Sequence, residues 1–147
     1  MNEGGRGARG LGMQYAIELY GCRPERLANC EDVEAVLRAV GREIGATVLS
    51  GHFHQFAPAG VSGVLVISES HLAIHTWPEH RYAAVDLFTC GPRRLHPADA
   101  VAELRERWGA SHVEVSHVER GPALLLDEVR DELAVGVDDE AVAPPET

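Results

Sequence analysis

Four short runs rich in apolar and β-branched residues follow one another in the middle of the chain, with only turns between them. The runs cover residues 47–56, 63–68, 71–76 and 82–88. Their length and composition predict β-strands, and two of the connections contain Pro58-Ala59-Gly60 and Pro78-Glu79-His80, which are typical of turns. Connections this short cannot hold a crossover helix, so these strands must pair antiparallel. The chain is therefore constrained to form an antiparallel sheet.

Two helices and two further strands are predicted around this region. Residues 15–19 and 112–118 alternate with the period of two that is typical of strands. Apolar residues recur at helical spacing over 31–44, where Asn29 is a candidate cap, and over 97–108, which begins with proline. The order β-α-β-β-β-β-α-β predicts an α+β fold, a two-layer sandwich with both helices on one face of the antiparallel sheet. The other face must meet water or a partner.

The length and composition narrow the possible functions. The chain has 147 residues, enough for one ordinary domain, and a net charge of −10. This acidic balance argues against nucleic-acid binding. All 13 basic residues are arginine, so catalysis through a lysine Schiff base is excluded. The three cysteines form no CxxC pair, and no signal peptide or membrane span is evident. We therefore expect a reduced, soluble, cytoplasmic protein.

Composition also divides the chain. Residues 1–11 contain four glycines and are predicted to form a flexible leader. Residues 12–127 hold all the predicted strands and helices and form the expected domain. The acidic segment 128–147, which ends near two consecutive prolines, is predicted to be disordered.

A serine and a histidine lie close together in the central region. Ser70 follows Glu69, and His75 lies five residues further on, but the G-x-S-x-G pattern of a hydrolase nucleophile elbow is missing. The stretch from residue 60 to residue 91, with Gly-Val-Ser-Gly at 60–63 and Phe-Thr-Cys-Gly at 88–91, resembles the prokaryotic S-adenosylmethionine decarboxylase proenzymes. Members of that family depend on a pyruvoyl group that they make from their own chain.

The resemblance implies a role for each matching residue. It implies that the chain cuts itself between Glu69 and Ser70, and that Ser70 becomes the pyruvoyl cofactor, which holds the substrate as a Schiff base. His75 matches the base of this processing and Ser62 matches a serine that assists it. Cys90 matches the proton donor of the decarboxylation.

The same resemblance implies a substrate and an assembly. Phe56 matches an aromatic residue that stacks on adenine, and Glu79 matches the acid that holds the ribose hydroxyls. The expected reaction releases CO2 from S-adenosylmethionine and gives the decarboxylated product used in spermidine synthesis. The cleaved protomers are expected to form a homo-oligomer, with a dimer favoured, and no metal, nucleic acid or membrane is expected as a partner.

Other interpretations stay open at this level. The pair His52 and His54 would share one face of a strand and could bind a metal, although no HExxH or Cys/His ligand pattern accompanies it. The segment Met13-Gln14 replaces a basic pair found in many members, which leaves a pyruvoyl-dependent ornithine or arginine decarboxylase as an alternative. A non-catalytic regulatory relative is a third possibility, and the joint presence of Ser70, His75 and Cys90 argues against it.

Strand geometry adds one more expectation. On a straight strand, Ser70 and His75 would point to opposite faces because side chains alternate. We therefore expect Ser70 to lie at a sharp turn at the beginning of the strand rather than within it.

Overall fold

The computed structural model describes residues 10–68, 70–90 and 95–121. Within these ranges the chain forms six strands, three α-helices and one 3-10 turn. The strands are β1 (Gly12–Tyr20), β2 (Val48–Gln55), β3 (Val61–Ile67), β4 (Ser70–Trp77), β5 (Tyr82–Cys90) and β6 (His112–Arg120). The helices are α1 (Pro24–Leu27), α2 (Cys30–Glu43) and α3 (Pro97–Trp108), and the 3-10 turn is Pro78–His80.

The six strands form one antiparallel sheet with the order β2-β3-β4-β5-β1-β6. Strands β2 to β5 are neighbours in sequence order, as the short connections predicted. Strand β1 pairs with β5 and also with β6, so the first and last strands complete the sheet. The predicted α+β sandwich with an antiparallel sheet is confirmed.

The hydrophobic core lies between the helices and one face of the sheet. In β5, for example, Ala83, Val85, Leu87 and Thr89 are buried, while the residues between them are partly exposed. This alternation assigns every second strand residue to the core. The largest buried side chains from both layers are Ile17, Leu19, Leu65, Ile67, Leu72, Ile74, Leu87, Leu27, Val33, Leu37, Leu104 and Trp108.

The two long helices begin and end as their sequences indicated. The Asn29 side chain accepts hydrogen bonds from the backbone N–H groups of Glu31 and Asp32, at 2.9 and 3.3 Å, and so caps α2. Helix α3 begins with a proline and ends at Gly109, whose φ of +68° suits glycine. The four-residue helix α1 was missed, because so short a segment shows no helical period.

The predicted leader and the predicted acidic segment flank the folded domain. Gly10 and Leu11, the last residues of the predicted leader, are bound to the sheet: Gly10 N–H donates to Glu119 Oε1 at 2.6 Å and Leu11 N–H donates to the Gly121 carbonyl at 2.9 Å. The rest of the leader and the whole segment 128–147 lie outside the described residues. In the described part of the chain, no helix is long and apolar enough to cross a membrane.

The cap of α2 provides a test of the fold. Asn29→Ala removes the acceptor for two N–H groups that the helix itself cannot satisfy, so we expect the free energy of unfolding to fall by about 1 kcal/mol. Urea denaturation followed by circular dichroism measures this change. Asn29→Asp keeps an acceptor oxygen and is the matched control. Equal stability of the Ala and Asp variants would contradict this account of the cap.

Candidate active site

One face of the sheet is turned away from the helices and is called the open face. In β1, β3, β4 and β5 the neighbours of its residues point into the core, and the pairing register extends the same face to β2 and β6. The open face carries the even-numbered residues of β1, β3, β5 and β6, the even-numbered residues 50–54 of β2, and the odd-numbered residues of β4. Several predicted site residues share this face. They are Ser62, His75 and Cys90.

Ser62 and His75 are directly opposite each other on the neighbouring strands β3 and β4. Ser62 Oγ and His75 Nδ1 are 2.8 Å apart, which is a hydrogen bond. A serine hydroxyl that donates to Nδ1 leaves the proton of neutral imidazole on Nε2, and the opposite donation leaves Nε2 free to accept a proton. In either case the bond fixes the orientation of the His75 ring.

A cavity of about 280 Å³ lies beside this pair. Four of the predicted site residues line it, and they come from three places in the chain: the end of β2, the β3–β4 pair and the 3-10 turn. They are Phe56, Ser62, His75 and Glu79. Trp77 lines the same cavity, and its exposed fraction of 39% is close to the 48% of Phe56. The cavity therefore offers two aromatic side chains, one carboxylate and an imidazole to a ligand.

A buried hydroxyl supports the cavity from behind. Thr76 lies between His75 and Trp77 on β4 and is 6% exposed. Its Oγ1 accepts a hydrogen bond from Val61 N–H at 2.9 Å and donates to the Leu27 carbonyl at 2.8 Å. The hydroxyl thus joins β3, β4 and the end of α1, and it fixes the strand segment that carries the cavity residues.

Four rings form a row across the sheet at the cavity end of the open face. Neighbouring ring centroids are 5.3 to 5.7 Å apart, and the planes of neighbouring rings are 23 to 28° from parallel. In order across β4, β5, β1 and β6, the rings are Trp77, Tyr82, Tyr20 and His112. The Tyr82 hydroxyl donates to Glu18. Burial is the main cause that raises the pKa of Tyr82, and this hydrogen bond is the second. The Trp77 ring, which lines the cavity, therefore also stacks on the Tyr82 ring.

Ser70 and Cys90 lie at the other end of the sheet. Ser70 is the first residue of β4 and pairs with Ile67 and Thr89, so it follows a tight connection but is already part of the strand. Cys90, the last residue of β5, is next to Thr89 and pairs with Gly12. The open face near them carries the parallel rings of His71 and Phe88, with centroids 5.6 Å apart.

The Ser70 hydroxyl is buried, and among the residues that the structure describes it has no hydrogen-bond partner. A buried hydroxyl without a partner is destabilising and is uncommon in native proteins outside functional sites. Its strand neighbours Leu72 and Ile74 are core residues, so Ser70 points to the helix side and His75 to the open face. Ser70 was expected at a sharp turn rather than within the strand, and this expectation is wrong: Ser70 is the first residue of β4 and is paired on both sides.

The predicted processing residues do not meet within one subunit. His75 lies five positions after Ser70 on an extended strand, so the two residues are about 17 Å apart. A base must approach the proton that it removes to about 3 Å, or act through one water. The structure therefore brings Ser62, His75, Phe56 and Glu79 together, and it places Ser70 and Cys90 at the opposite end of the sheet.

Comparison with known proteins identifies the family. A family model described as S-adenosylmethionine decarboxylase matches residues 13–121. The chain belongs to the S-adenosylmethionine decarboxylase family. The resemblance that residues 60–91 indicated is thus confirmed, and with it the prediction of an enzyme of the carboxy-lyase class.

Individual relatives agree with this membership. The chain is 50% identical over 113 residues to the S-adenosylmethionine decarboxylase proenzyme of Moorella thermoacetica, which covers 77% of this chain and 90% of the relative. It is 48% identical over 111 residues to the proenzyme of Pseudomonas aeruginosa, covering 76% of this chain and 69% of the relative.

Solved structures show the same architecture. The adenosylmethionine decarboxylase of Aquifex aeolicus is 32% identical and superposes with a TM-score of 0.69, over 78% of this chain and 93% of that structure. A decarboxylase monomer from Trypanosoma brucei superposes with a TM-score of 0.53 over 70% of this chain and 44% of that structure. At 17% identity, the second match concerns the fold alone.

Some cavity residues of this family member were not predicted from the sequence. Trp77 follows His75 by two positions, so strand alternation already placed both on one face, and this signal could have been used. Thr76 could not be found this way, because only the tertiary structure brings its hydroxyl to Leu27. The suggested metal pair gains no third ligand: in the described ranges, no three His, Cys, Asp or Glu side chains are grouped to hold a metal ion.

Proposed function

We propose that this chain is a self-processing, pyruvoyl-dependent S-adenosylmethionine decarboxylase that releases CO2 and supplies decarboxylated S-adenosylmethionine for spermidine synthesis. The observation that carries the proposal is the cavity in which Phe56 and Glu79 accompany the hydrogen-bonded pair of Ser62 and His75. The family membership supports the same substrate, since the relatives described above bear its name. No observation on the described residues favours ornithine or arginine.

Self-processing begins at Ser70 in this proposal. Its Oγ attacks the carbonyl carbon of Glu69, and the amide bond becomes an ester. A base then removes the Cα proton of Ser70, the Glu69 carboxylate leaves, and the dehydroalanine that remains hydrolyses to a pyruvoyl group with loss of ammonia. The buried Ser70 hydroxyl fits this role, because none of the described residues holds it in a competing hydrogen bond.

The residues around position 70 fit the decarboxylation as well. When formed, the pyruvoyl ketone supplies an electron sink for the loss of CO2 from an α-amino acid. Cys90 lies on the open face at the same end of the sheet as Ser70. Its thiol is therefore suited to hold the proton that the substrate's α-carbon takes up after CO2 has left.

The cavity fits an adenosyl sulfonium compound. The exposed faces of Phe56 and Trp77 can stack on an aromatic base or attract the sulfonium charge, which needs no carboxylate partner. Glu79 lies at the same cavity and can accept hydrogen bonds from two ribose hydroxyls. These contacts select the nucleoside part of the substrate rather than its amino acid part.

The separation of about 17 Å between Ser70 and His75 requires a second subunit in this proposal. In this dimer the two open faces lie against each other. The two-fold axis lies between them and runs across the strands, so the strands of one sheet run opposite to those of the other. The end of β4 that carries Ser70 then lies over the partner's cavity end. Each active site combines the Cα of Ser70 and the Cys90 thiol of one protomer with the cavity residues of the other, while the Ser70 side chain points to the helix side of its own sheet.

The chemistry of the open face supports such an interface. Facing sheets pack about 10 Å apart, which leaves room for side chains and a small substrate between them. Exposed apolar and aromatic side chains lie on this face, and they include Tyr20, Val66, Trp77 and Val118. A two-fold interface uses the same patch on both protomers, so one face supplies both halves of each site.

The boundaries and the location of the protein remain predictions. We assign the decarboxylase to residues 12–127, cleaved between residues 69 and 70, with residues 1–11 and 128–147 as flanking segments. The reduced, cytoplasmic location is inferred from the cysteine pattern of the sequence.

Self-cleavage gives the first functional test. The purified wild type should separate into residues 1–69 and 70–147, and the second fragment should carry a ketone that reacts with carbonyl reagents. Ser70→Ala lacks the attacking hydroxyl and should stay intact, as denaturing electrophoresis and mass spectrometry will show. Ser68→Ala, two residues earlier in the same turn, is the matched control and should still be cleaved. A folded wild type that never cleaves would refute the proposal.

Substrate selection gives the second test. Phe56→Ala should raise KM for S-adenosylmethionine about tenfold or more, because loss of a base stack costs about 1–3 kcal/mol. Glu79→Gln should also weaken binding, while both variants still cleave at Ser70. CO2 release from S-adenosylmethionine, ornithine and arginine is measured separately. Release from ornithine or arginine alone would contradict the substrate and leave the pyruvoyl mechanism in place.

The composite site gives the third test. Cys90→Ala should be cleaved normally and lose most of its turnover. At S-adenosylmethionine concentrations well below the KM of Phe56→Ala, co-expression of Cys90→Ala with Phe56→Ala should restore activity, since a mixed dimer has one site with both residues intact. Random pairing gives about one quarter of the wild-type sites. If each site belonged to one subunit, every site would carry one of the two substitutions and activity would not recover. That result would contradict the proposed dimer.

A further inference from the structure

Gln55, the last residue of β2, makes an unusual number of hydrogen bonds with one side chain. Its Oε1 accepts from Cys30 N–H at 2.7 Å. Its Nε2 lies within donor distance of three carbonyl oxygens, those of Ala28, Phe56 and Gly60, at 2.8, 3.0 and 3.1 Å. One amide thus contacts four backbone groups from three segments of the chain.

The chemistry of these four groups fixes the orientation of the amide. The oxygen must face the N–H of Cys30, and the nitrogen must face the three carbonyls, so a flipped amide would lose every one of these bonds. Cys30 is the first residue of α2, whose N–H has no partner inside the helix. Gln55 therefore satisfies a helix donor that the Asn29 cap does not reach.

Two of the three carbonyls belong to the ends of the loop from Phe56 to Gly60. Phe56 N–H donates to the Gly60 carbonyl at 2.8 Å, which closes the loop, and Gly60 N–H donates to the Ala28 carbonyl at 3.1 Å. The third carbonyl is that of Ala28 itself. The Gln55 side chain thus joins both ends of the loop to the connection between α1 and α2.

This loop carries the aromatic wall of the cavity. The Phe56 side chain is 48% exposed, so packing in the core does not fix it. Its ring plane is at 72° to that of the His54 ring, with a centroid distance of 4.7 Å, and His54 is itself exposed. The place of the ring therefore depends on the backbone of the loop.

We propose that Gln55 is a positioning residue for substrate binding, which acts by holding the Phe56–Gly60 loop so that the Phe56 ring is ready to stack on the substrate's base. The inference rests on the proposed function of Phe56. It assigns no contact between Gln55 and the substrate. Because a preorganised ring affects binding more than the later chemistry, Gln55 should influence KM rather than kcat.

Three substitutions separate the hydrogen bonds from the size of the side chain. Gln55→Met keeps the length and removes all four bonds. Gln55→Glu keeps an acceptor for Cys30 N–H but turns a carboxylate toward three carbonyls. Gln55→Lys supplies three N–H donors for these carbonyls and loses only the bond from Cys30. We expect Met and Glu to raise KM for S-adenosylmethionine about tenfold with kcat within about twofold, and Lys to stay near the wild type.

A double-mutant cycle tests whether Gln55 acts through Phe56. Once Phe56→Ala has removed the ring, adding Gln55→Met should change KM no further, so the two effects should be strongly non-additive. Self-cleavage at Ser70 should proceed in all these variants. Additive effects on KM would overturn the positioning role, because they would mean that Gln55 acts on something other than Phe56.

Hydrogen exchange provides a readout that is independent of activity. In Gln55→Met and Gln55→Glu, the amides of Phe56 and Gly60 should exchange faster than in the wild type, and in Gln55→Lys they should not. Gln14→Met is the matched control, since Gln14 on β1 loses one bond, at 2.7 Å to Arg120, and should leave exchange over residues 56–60 unchanged.

The outcomes distinguish this inference from the proposed function. An active wild type with an unchanged KM in Gln55→Met would overturn the positioning role alone, even if the loop exchanged faster. A cleaved wild type that does not turn over S-adenosylmethionine would overturn the substrate assignment, and the role of Gln55 toward that substrate would fall with it. A raised KM with wild-type kcat, restored by Gln55→Lys, supports both.

Discussion

The antiparallel register between β3 and β4 is the constraint on which the site depends. It sets Ser62 opposite His75 and brings Ser62 Oγ to 2.8 Å from the imidazole. Because side chains alternate along a strand, a slip by one residue would turn the open-face residues of β4 into the core. The same register carries Ser70 to the far end of β4, on the core side. A single pairing therefore builds the serine–histidine pair and separates it from the predicted cleavage serine.

The helix layer does more than cover the core. The connection between α1 and α2 has backbone groups that the helices cannot satisfy, and the sheet loops use them. The Leu27 carbonyl accepts from Thr76, and the Ala28 carbonyl accepts from Gly60 and Gln55. Both aromatic walls of the cavity, at Phe56 and Trp77, are thereby tied to one short segment. Stability of the helix layer and geometry of the cavity are coupled for this reason.

The open face combines features that are costly to bury with features that favour burial. The row of rings from Trp77 to His112 favours contact with another surface, whereas Glu18 would be costly to desolvate alone. The Tyr82 hydroxyl donates to that carboxylate and so satisfies it in advance. Burial and the nearby carboxylates raise the pKa values of Tyr82 and Tyr20. A second sheet can therefore cover this face without leaving the Glu18 carboxylate unpartnered.

The sequence by itself determined the antiparallel sheet, the two long helices and the family, because short turns forbid crossovers, apolar periods reveal buried faces, and residues 60–91 carry local motifs. It did not place Ser70 within β4, because a turn was expected at the cleavage site, whereas the structure makes Ser70 the first residue of the strand, facing away from His75. Only the tertiary structure decided which residues lie together at each end of the sheet. The gathering of Phe56, His75 and Glu79 around one cavity, the distance of Ser70 from them, and the bonds of Gln55 and Thr76 to the α1–α2 connection all depend on register and packing between segments far apart in sequence. Such contacts leave no period or motif along the chain.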